Sequence, residues 1–314
     1  MLTPSERDAW LDCKRGFVGA SEIGALFDVH PYHTVLSLWG RKTGRIPPDV
    51  ENKYMRIGSA MEGVIASEYC LATGRAVYAD MLEPDHATVH RFGPMAMYSC
   101  PVSPISCTPD RIINPIDWDG REEMGACQLK WRAVPYGDAW KVEEGVVQVP
   151  MATQMQVQME IGILGLAWGS AAALVGGDLR YRDFPRNDKF FATAMEKANQ
   201  FMWFVKNDQQ PPDVTAEDRE TLCQLYPKQI PGKVIALPEE AAAITEKYEQ
   251  AKEAVARYES IVEQAKAQIQ AMLGDAEKGI VPGDGGAWTW KHKPAYPVKA
   301  HECKASRPLW RTKI

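Results

Sequence analysis

The segment 108–130 constrains the fold more than any other part of the chain. It opens with a proline and Asp110 before one apolar run, and a second apolar run near its end contains Gln128, Leu129 and Lys130. Side chains of a strand alternate between the two faces of a sheet, so Gln128 and Lys130 are expected on one face and Leu129 in the core. The segment therefore predicts two neighbouring strands, joined by a hairpin tip over 116–120, with Asp110 at a strand edge.

These residue types favour phosphate chemistry with a hard divalent cation. In proteins Mg²⁺ is usually bound by one or two carboxylates, while waters and phosphate oxygens complete its coordination. Asp110 and the amide oxygen of Gln128 would share such a cation. Lys130 beside them would orient a water molecule or stabilise the charge that develops on phosphorus.

The order Pro109-Asp110, then Gln128-Leu129-Lys130, resembles the PD-(D/E)XK nuclease signature. The flanking segments resemble its phage recombination branch, the YqaJ-like and lambda-exonuclease-like enzymes. This resemblance implies an α/β fold with a restriction-endonuclease-like mixed β-sheet core flanked by helices. It also implies a Mg²⁺ ion, for which Mn²⁺ can substitute.

Two blocks before the signature add residues to the expected site. The segment 58–62 lies in a helix predicted over 54–73 and resembles a family block that implies a metal-binding role for Glu62. The segment 15–26 is interpreted as a glycine-flanked turn into a second helix, whose first N–H groups are free to bind an anion. Its similarity to a family block implies that Arg15 and Ser21 contact DNA phosphate; simple N-capping by Ser21 is the alternative.

A third block follows the signature on a helix that begins near residue 149. Glutamines are spaced by two at Gln154, Gln156 and Gln158. The family's QxQ block fits Gln156 and Gln158 best, and an alternative register uses Gln154. The resemblance implies hydrogen bonds to the DNA backbone or to the attacking water. Solvated glutamines beside a methionine core stripe are the alternative.

The resemblance assigns Glu62, Asp110 and Gln128 to the metal and Lys130 to the nucleophilic water. It implies 5′ to 3′ hydrolysis of linear double-stranded DNA from its ends, with 5′-phosphate products. The remaining strand would serve a single-strand annealing protein in phage or prophage recombination. Gln128 departs from the usual Glu or Asp and predicts weaker cation binding. A non-catalytic DNA-end scaffold and an endonuclease acting on branched or single-stranded DNA are the alternatives.

Composition predicts a cytoplasmic protein, and the resemblance implies a bacterial host cell. The 314 residues are 45% hydrophobic and contain no run long enough to span a membrane. The amino terminus lacks the basic-then-apolar pattern of a signal peptide. Seven scattered cysteines never form a CxxC pair, and the six histidines lack the spacing of a zinc site. We expect neither disulfides nor zinc.

The nuclease core is predicted to span residues 1–210. Between Arg75 and Arg132 five short strands are expected, followed by a β-hairpin around Gly176-Gly177 and a helix over 188–207. The five predicted strands cover 76–78, 87–92, 96–100, 105–114 and 123–131.

Residues 211–286 are predicted to form a linker and a long helical arm. Apolar residues from Ile244 to Met272 recur at steps of 4 and 3, which is a heptad seam within a helix predicted over 238–273. Such an arm packs on a partner helix, on another subunit of a homo-oligomer, or on the core.

The tail, residues 287–314, contains seven Lys or Arg and one Glu, a local 7 − 1 = +6 in a chain whose net charge is −5. Aromatic residues are interleaved with these charges, a mixture that suits DNA phosphates and bases. A solvated hairpin whose tryptophans pack on the core is the alternative.

Overall fold

The structure is a computed structural model that describes residues 3–79, 82–93, 95–114, 123–133, 139–283 and 286–293. The chain divides into two units, Met1–Pro227 and Lys228–Ile314. The predicted hairpin tip and most of the predicted basic tail, residues 294–314, lie outside the described residues.

The first unit is mixed α/β, in agreement with the predicted fold class. Its α-helices, among the residues described, are α1 (Pro4–Arg15), α2 (Val35–Lys42), α3 (Lys53–Thr73), α4 (Met151–Leu164), α5 (Asp188–Lys206) and α6 (Arg219–Leu225). Its strands there are β1 (Val18–Gly19), β2 (Val77–Tyr78), β3 (Thr88–Phe92), β4 (Met95–Ser99), β5 (Ile105–Cys107), β6 (Arg111–Ile113), β7 (Gly125–Arg132), β8 (Val142–Glu143), β9 (Val146–Val147), β10 (Trp168–Val175) and β11 (Asp178–Pro185).

A five-stranded sheet forms the centre of this unit, in the order β11-β10-β7-β6-β2. Its middle strand, β7, is antiparallel to β6 and parallel to β10. A parallel connection requires a crossover, and α4 supplies it between β7 and β10. The predicted hairpin around Gly176-Gly177 is confirmed, since β10 and β11 pair along their whole length.

Helices cover both faces of the five-stranded sheet. On one face Ile65 and Tyr69 of α3 pack with Leu129 of β7. On the other face α4 approaches β10 closely, because a Cβ on Gly169 would lie only 2.7 Å from Ile161 Cγ2. Any side chain at position 169 would push α4 away from the sheet.

The predicted single strand over 105–114 is wrong. The structure has two strands there, and they belong to different sheets: β5 joins a four-stranded sheet in the order β1-β5-β4-β3, whereas β6 pairs with β7. Pro109 lies in the break, where its ring removes a backbone N–H that a continuous ladder would need. This break leaves Asp110 directly before β6.

The predicted second helix after Ser21 is also wrong in type. A five-residue 3₁₀-helix, Ile23–Phe27, replaces it. The N–H of Gly19 is not free for an external anion, because it donates to Glu22 Oε2 at 2.8 Å. Glu22 Oε2 also forms an ion pair with Lys42 Nζ at 2.7 Å. The protein's own carboxylate thus takes up one backbone donor of the turn that precedes this helix.

In the second unit the described residues form one long helix and a short hairpin. Helix α7 spans Glu240–Leu273, two residues shorter than predicted at its start, and none of its residues is buried. Strands β12 (Lys278–Ile280) and β13 (Ala287–Thr289) pair in antiparallel fashion. Across the described parts of both units, every helix is too short or too polar to cross a membrane.

Candidate active site

Asp110 and Gln128 meet because of the register between β6 and β7. These antiparallel strands pair Arg111 with Cys127, so the next step along the ladder places Asp110 opposite Gln128. Gln128 Nε2 donates a hydrogen bond to Asp110 Oδ2. The backbone N–H of Leu129 donates to the same oxygen at 2.8 Å. Two donors from one strand therefore fix the carboxylate of Asp110.

The side chains of β7 alternate between the faces of the sheet, as the sequence predicts. Cys127 and Leu129 pack on the α3 side. Lys130 points to the α4 side, where its Nζ donates to Gln156 Oε1 at 3.2 Å. By the same alternation Gln128 lies on the α4 side, and only 3% of its surface is exposed.

Glu62 reaches this region from α3, about one turn before Ile65 packs against the sheet. Its Oε2 lies 4.0 Å from Arg111 Nη1. Burial raises the pKa of the Glu62 carboxyl, and the charge of Asp110 raises it further. The cations Arg111 and Lys130 oppose both effects. Glu62, Asp110 and Lys130 therefore lie close enough for their charges to interact, although they come from three separate parts of the chain.

The carboxyl of Asp110 also has a raised pKa. Burial is the largest cause, while the charge of Lys130 and the hydrogen bond from the Leu129 N–H oppose it. A carboxylate whose charged form is disfavoured by burial is stabilised by any cation that approaches it. Asp110 and Glu62 thus form a pair of acids that favours nearby positive charge.

Glu160 is a further member of the site that our reading of the sequence missed. It is fully buried, and its Oε1 accepts a hydrogen bond from Gln156 Nε2 at 3.0 Å. Burial, followed by the charge of Asp110, raises the pKa of Glu160 to about 8. Gln156 therefore links Lys130 to a carboxyl whose protonated form is favoured by burial. An acid inside the apolar run Met159–Leu164 was the available signal.

The donor atoms suit a hard divalent cation. Gln128 Oε1 is buried and makes no hydrogen bond to the described residues, which leaves an amide oxygen available beside the Asp110 carboxylate. Among those residues no three His, Cys, Asp or Glu side chains are grouped to hold a metal. A cation here would rely on Asp110, Gln128 and Glu62, with water or phosphate oxygens as further ligands, a composition that Mg²⁺ accepts.

The other two predicted glutamines form hydrogen bonds within the protein. Gln154 Nε2 donates to the carbonyl of Val149 at 2.7 Å, next to the start of α4. Gln158 Nε2 donates to the Pro185 carbonyl at 2.8 Å, and its Oε1 accepts from the N–H of Asn187 at 2.8 Å. Both therefore anchor α4 to neighbouring chain segments. A DNA contact by either stays a prediction.

Arg15 and Ser21 have exposed side chains near the end of α1. Arg15 Nη1 pairs with Asp12 at 3.1 Å. Among the described residues, no hydrogen bond or ion pair joins Arg15 or Ser21 to Asp110 or Lys130. Their predicted role at a DNA phosphate is untested by this geometry.

The model of the YqaJ-like viral recombinase domain matches residues 9–167, which is half of the chain. The chain belongs to this family. The matched region contains every predicted site residue, from Arg15 to Gln158, and it ends before α5.

Individual relatives are distant. Over 298 residues the chain is 24% identical to the uncharacterized protein YqaJ of Bacillus subtilis (strain 168), a match covering 90% of this chain and 83% of that protein. The crystal structure of the alkaline exonuclease LHK-Exo from Laribacter hongkongensis aligns with 17% identity and a TM-score of 0.44. Its complex with dAMP aligns with 16% identity and a TM-score of 0.45. Both alignments cover 64% of this chain and 93% of the other.

Membership of the YqaJ-like family confirms the branch that the sequence indicated. The family match also separates two parts of the protein. The site described above lies inside it, whereas α7 and the hairpin of β12 and β13 lie outside.

Proposed function

We propose that this YqaJ-like protein is a Mg²⁺-dependent deoxyribonuclease with a restriction-endonuclease-like core, and that it degrades linear double-stranded DNA from its ends. The observation that carries the proposal is the convergence of Asp110, Gln128 and Lys130 at the junction of β6 and β7, with Glu62 nearby. Acidic and amide oxygens beside a lysine form a site that suits phosphodiester hydrolysis.

Glu62, Asp110 and Gln128 would hold Mg²⁺, or Mn²⁺ in its place. When bound, the cation would neutralise negative charge on the phosphate and so lower the barrier to its hydrolysis. Asp110 is prepared for this role because the Leu129 N–H and the Gln128 amide both orient one of its oxygens. Gln128 Oε1, which makes no hydrogen bond to the described residues, lies beside this carboxylate as a second oxygen ligand.

Lys130 would act on the water and on the phosphate. Its Nζ donates to Gln156 Oε1, and its remaining donors are available to orient a nucleophilic water or a non-bridging oxygen. The charge of Lys130 lies close enough to Asp110 and Glu62 to affect both carboxyls. Lys130 would therefore also stabilise the negative charge that develops during in-line attack, leaving a 5′-phosphate.

DNA contacts are proposed for residues that the family resemblance selected. Arg15 and Ser21 would bind phosphate, and Gln156 would orient the attacking water through its contact with Lys130. Gln154 and Gln158 would reach the DNA backbone only by exchanging their present partners in α4 and its neighbours. Degradation from 5′ to 3′ would expose a single strand for an annealing protein, in the cytoplasm of a bacterial host.

A digest of end-labelled duplexes tests this proposal. Linear duplexes blocked at the 5′ or the 3′ end, together with a closed circle, are incubated with Mg²⁺, with Mn²⁺ and with chelator. We expect nucleotide release only with metal, only from linear DNA, and only when the 5′ end is free. Cutting of the closed circle would indicate an endonuclease. End binding without release of nucleotides would indicate a scaffold.

Replacement of Gln128 by glutamate tests the departure from the common family pattern. Gln128→Glu supplies a second carboxylate next to Asp110, so we expect cleavage to persist and Mg²⁺ to bind about tenfold more tightly, equivalent to about 1.4 kcal/mol. The amide donor to Asp110 is lost, so the metal-free variant should melt at a lower temperature than the native protein. Melting temperature measured against Mg²⁺ concentration checks both effects without relying on activity. Unchanged or weaker Mg²⁺ binding would contradict the assignment of Gln128 as a ligand.

A further inference from the structure

Helix α7 presents an apolar seam that the described residues of its own unit leave open to solvent. The 34-residue helix is about 51 Å long at a rise of 1.5 Å per residue. Tyr248, Val255 and Tyr258 on the seam are 53%, 55% and 61% exposed. Large aromatic and branched residues repeated along one exposed stripe indicate a binding surface.

The apolar residues of the seam follow a heptad repeat in which the small residues occur only at d positions. In this frame the a positions hold Tyr248, Val255, Val262 and Ile269. The d positions hold Ile244, Ala251, Tyr258, Ala265 and Met272. Alanine recurs at d, whereas every a residue from Tyr248 onward is large. A partner helix that sets a against d would place a large residue opposite each of these alanines.

A parallel second copy would not provide that match. Parallel two-stranded coiled coils set each a or d residue against itself, so Tyr248 would face Tyr248 and Ala251 would face Ala251. The flanking g and e positions would also set Lys247 against Lys252 of the second copy. A parallel arrangement would therefore place two tyrosines in one layer, leave a cavity between two alanines in another, and bring two lysines together.

An antiparallel second copy fits one register well. With Val255 opposite Tyr258 of the second copy, Tyr248 faces Ala265 and Ala251 faces Val262. This register is centred between residues 256 and 257, which is also the midpoint of the helix Glu240–Leu273. The two helices therefore overlap over their full length.

Charge selects the same register. In an antiparallel pair the e positions of the two helices lie side by side, which here brings Lys252 next to Glu259 of the second copy, twice by symmetry. A shift of one heptad in one direction sets Lys252 against Lys252. A shift in the other direction sets Glu259 against Glu259. Full-length overlap and charge complementarity thus agree on one alignment.

We propose that α7 pairs with α7 of a second copy of this chain as an antiparallel two-stranded coiled coil, with Val255 opposite Tyr258. The proposal does not depend on nuclease activity. Its interface lies in the second unit, outside the residues that match the YqaJ-like family.

Cysteine cross-linking of the full chain tests the orientation. Ala251→Cys and Val262→Cys are made separately in a background with the exposed Cys223 and the tail Cys303 replaced by serine. Residues 251 and 262 are about 16 Å apart along a helix, and a disulfide needs Cα atoms within about 7 Å. We expect cross-linked dimer only when the two variants are mixed. Efficient cross-linking of Ala251→Cys alone, or none in the mixture, would overturn the proposal.

Charge variants measured by sedimentation of the full chain test the register. Glu259→Lys creates two Lys–Lys contacts and should raise the dimer dissociation constant about tenfold. Adding Lys252→Glu to it restores opposite charges and should restore the native constant. Glu253→Lys makes the same change on the outer face of the helix and should have no effect. Equal effects of Glu259→Lys and Glu253→Lys, or a native chain that stays monomeric, would overturn the proposal.

Discussion

Alanine at Asp110 or at Lys130 is expected to lower DNA cleavage by at least about 10³-fold, because each change removes a group that no neighbouring side chain replaces. Asp110 is the acid fixed by two donors of β7, and Lys130 is the amine held by Gln156. Glu62→Gln should lower cleavage as well, because the glutamine amide has the shape of the glutamate carboxylate but lacks its negative charge. Nucleotide release from linear duplex under saturating Mg²⁺ measures all three.

Controls for these variants separate lost chemistry from lost folding. Asp110→Ala leaves the Leu129 N–H without its acceptor, so its melting temperature has to be measured beside its activity. Glu68→Gln makes the same change as Glu62→Gln on an exposed position of α3 and should retain native activity. Native cleavage rates in folded Lys130→Ala or Asp110→Ala would remove these residues from the mechanism.

Local signals in the sequence predicted helix bounds well. Helix α3 was predicted over 54–73 and spans Lys53–Thr73. Its start is fixed by Asn52, whose side chain accepts from the N–H groups of Tyr54 and Met55, and its end by Gly74 in the left-handed region at φ 73°. The alternation of β7 followed equally from a period of two. Such features depend on residues that are neighbours in the chain.

Features that depend on distant partners were missed. The break of the predicted strand 105–114 reflects which sheet each half joins, and the turn after Gly19 reflects a carboxylate, Glu22, held by Lys42 from another helix. Glu160 is the clearest case. Its pKa is raised because the fold buries it near Asp110. The residues around Glu160 in the sequence predict neither this burial nor the proximity to Asp110.

Glu160 is expected to make the stability of the protein fall as pH rises from about 4.5 to about 8. Its pKa is about 8 in the folded protein, compared with 4.5 for an ordinary glutamate. Between these values the folded state keeps a proton that the unfolded state has released, so raising the pH favours unfolding. The resulting loss of stability, on the order of a few kcal/mol, is complete above the folded pKa.

The variant Glu160→Gln removes this dependence while preserving shape. The amide oxygen still accepts from Gln156 Nε2, and no proton is exchanged between pH 5 and pH 9. We expect the variant to be close to the native protein in free energy of unfolding at pH 5, and several kcal/mol more stable than it at pH 9. Denaturant unfolding at a series of pH values measures the difference directly.

The pH profile distinguishes a buried acid from a general surface effect. Glu196→Gln, on an exposed position of α5, should give the same small difference from the native protein at every pH. If Glu160→Gln behaved in that way too, Glu160 would be ionised at neutral pH in the folded state. Gln156 would then connect the positive charge of Lys130 to a negatively charged Glu160. With a protonated Glu160, the same two hydrogen bonds connect Lys130 to a neutral group. A difference that grows with pH therefore indicates that the buried carboxyl of Glu160 is neutral in the folded protein.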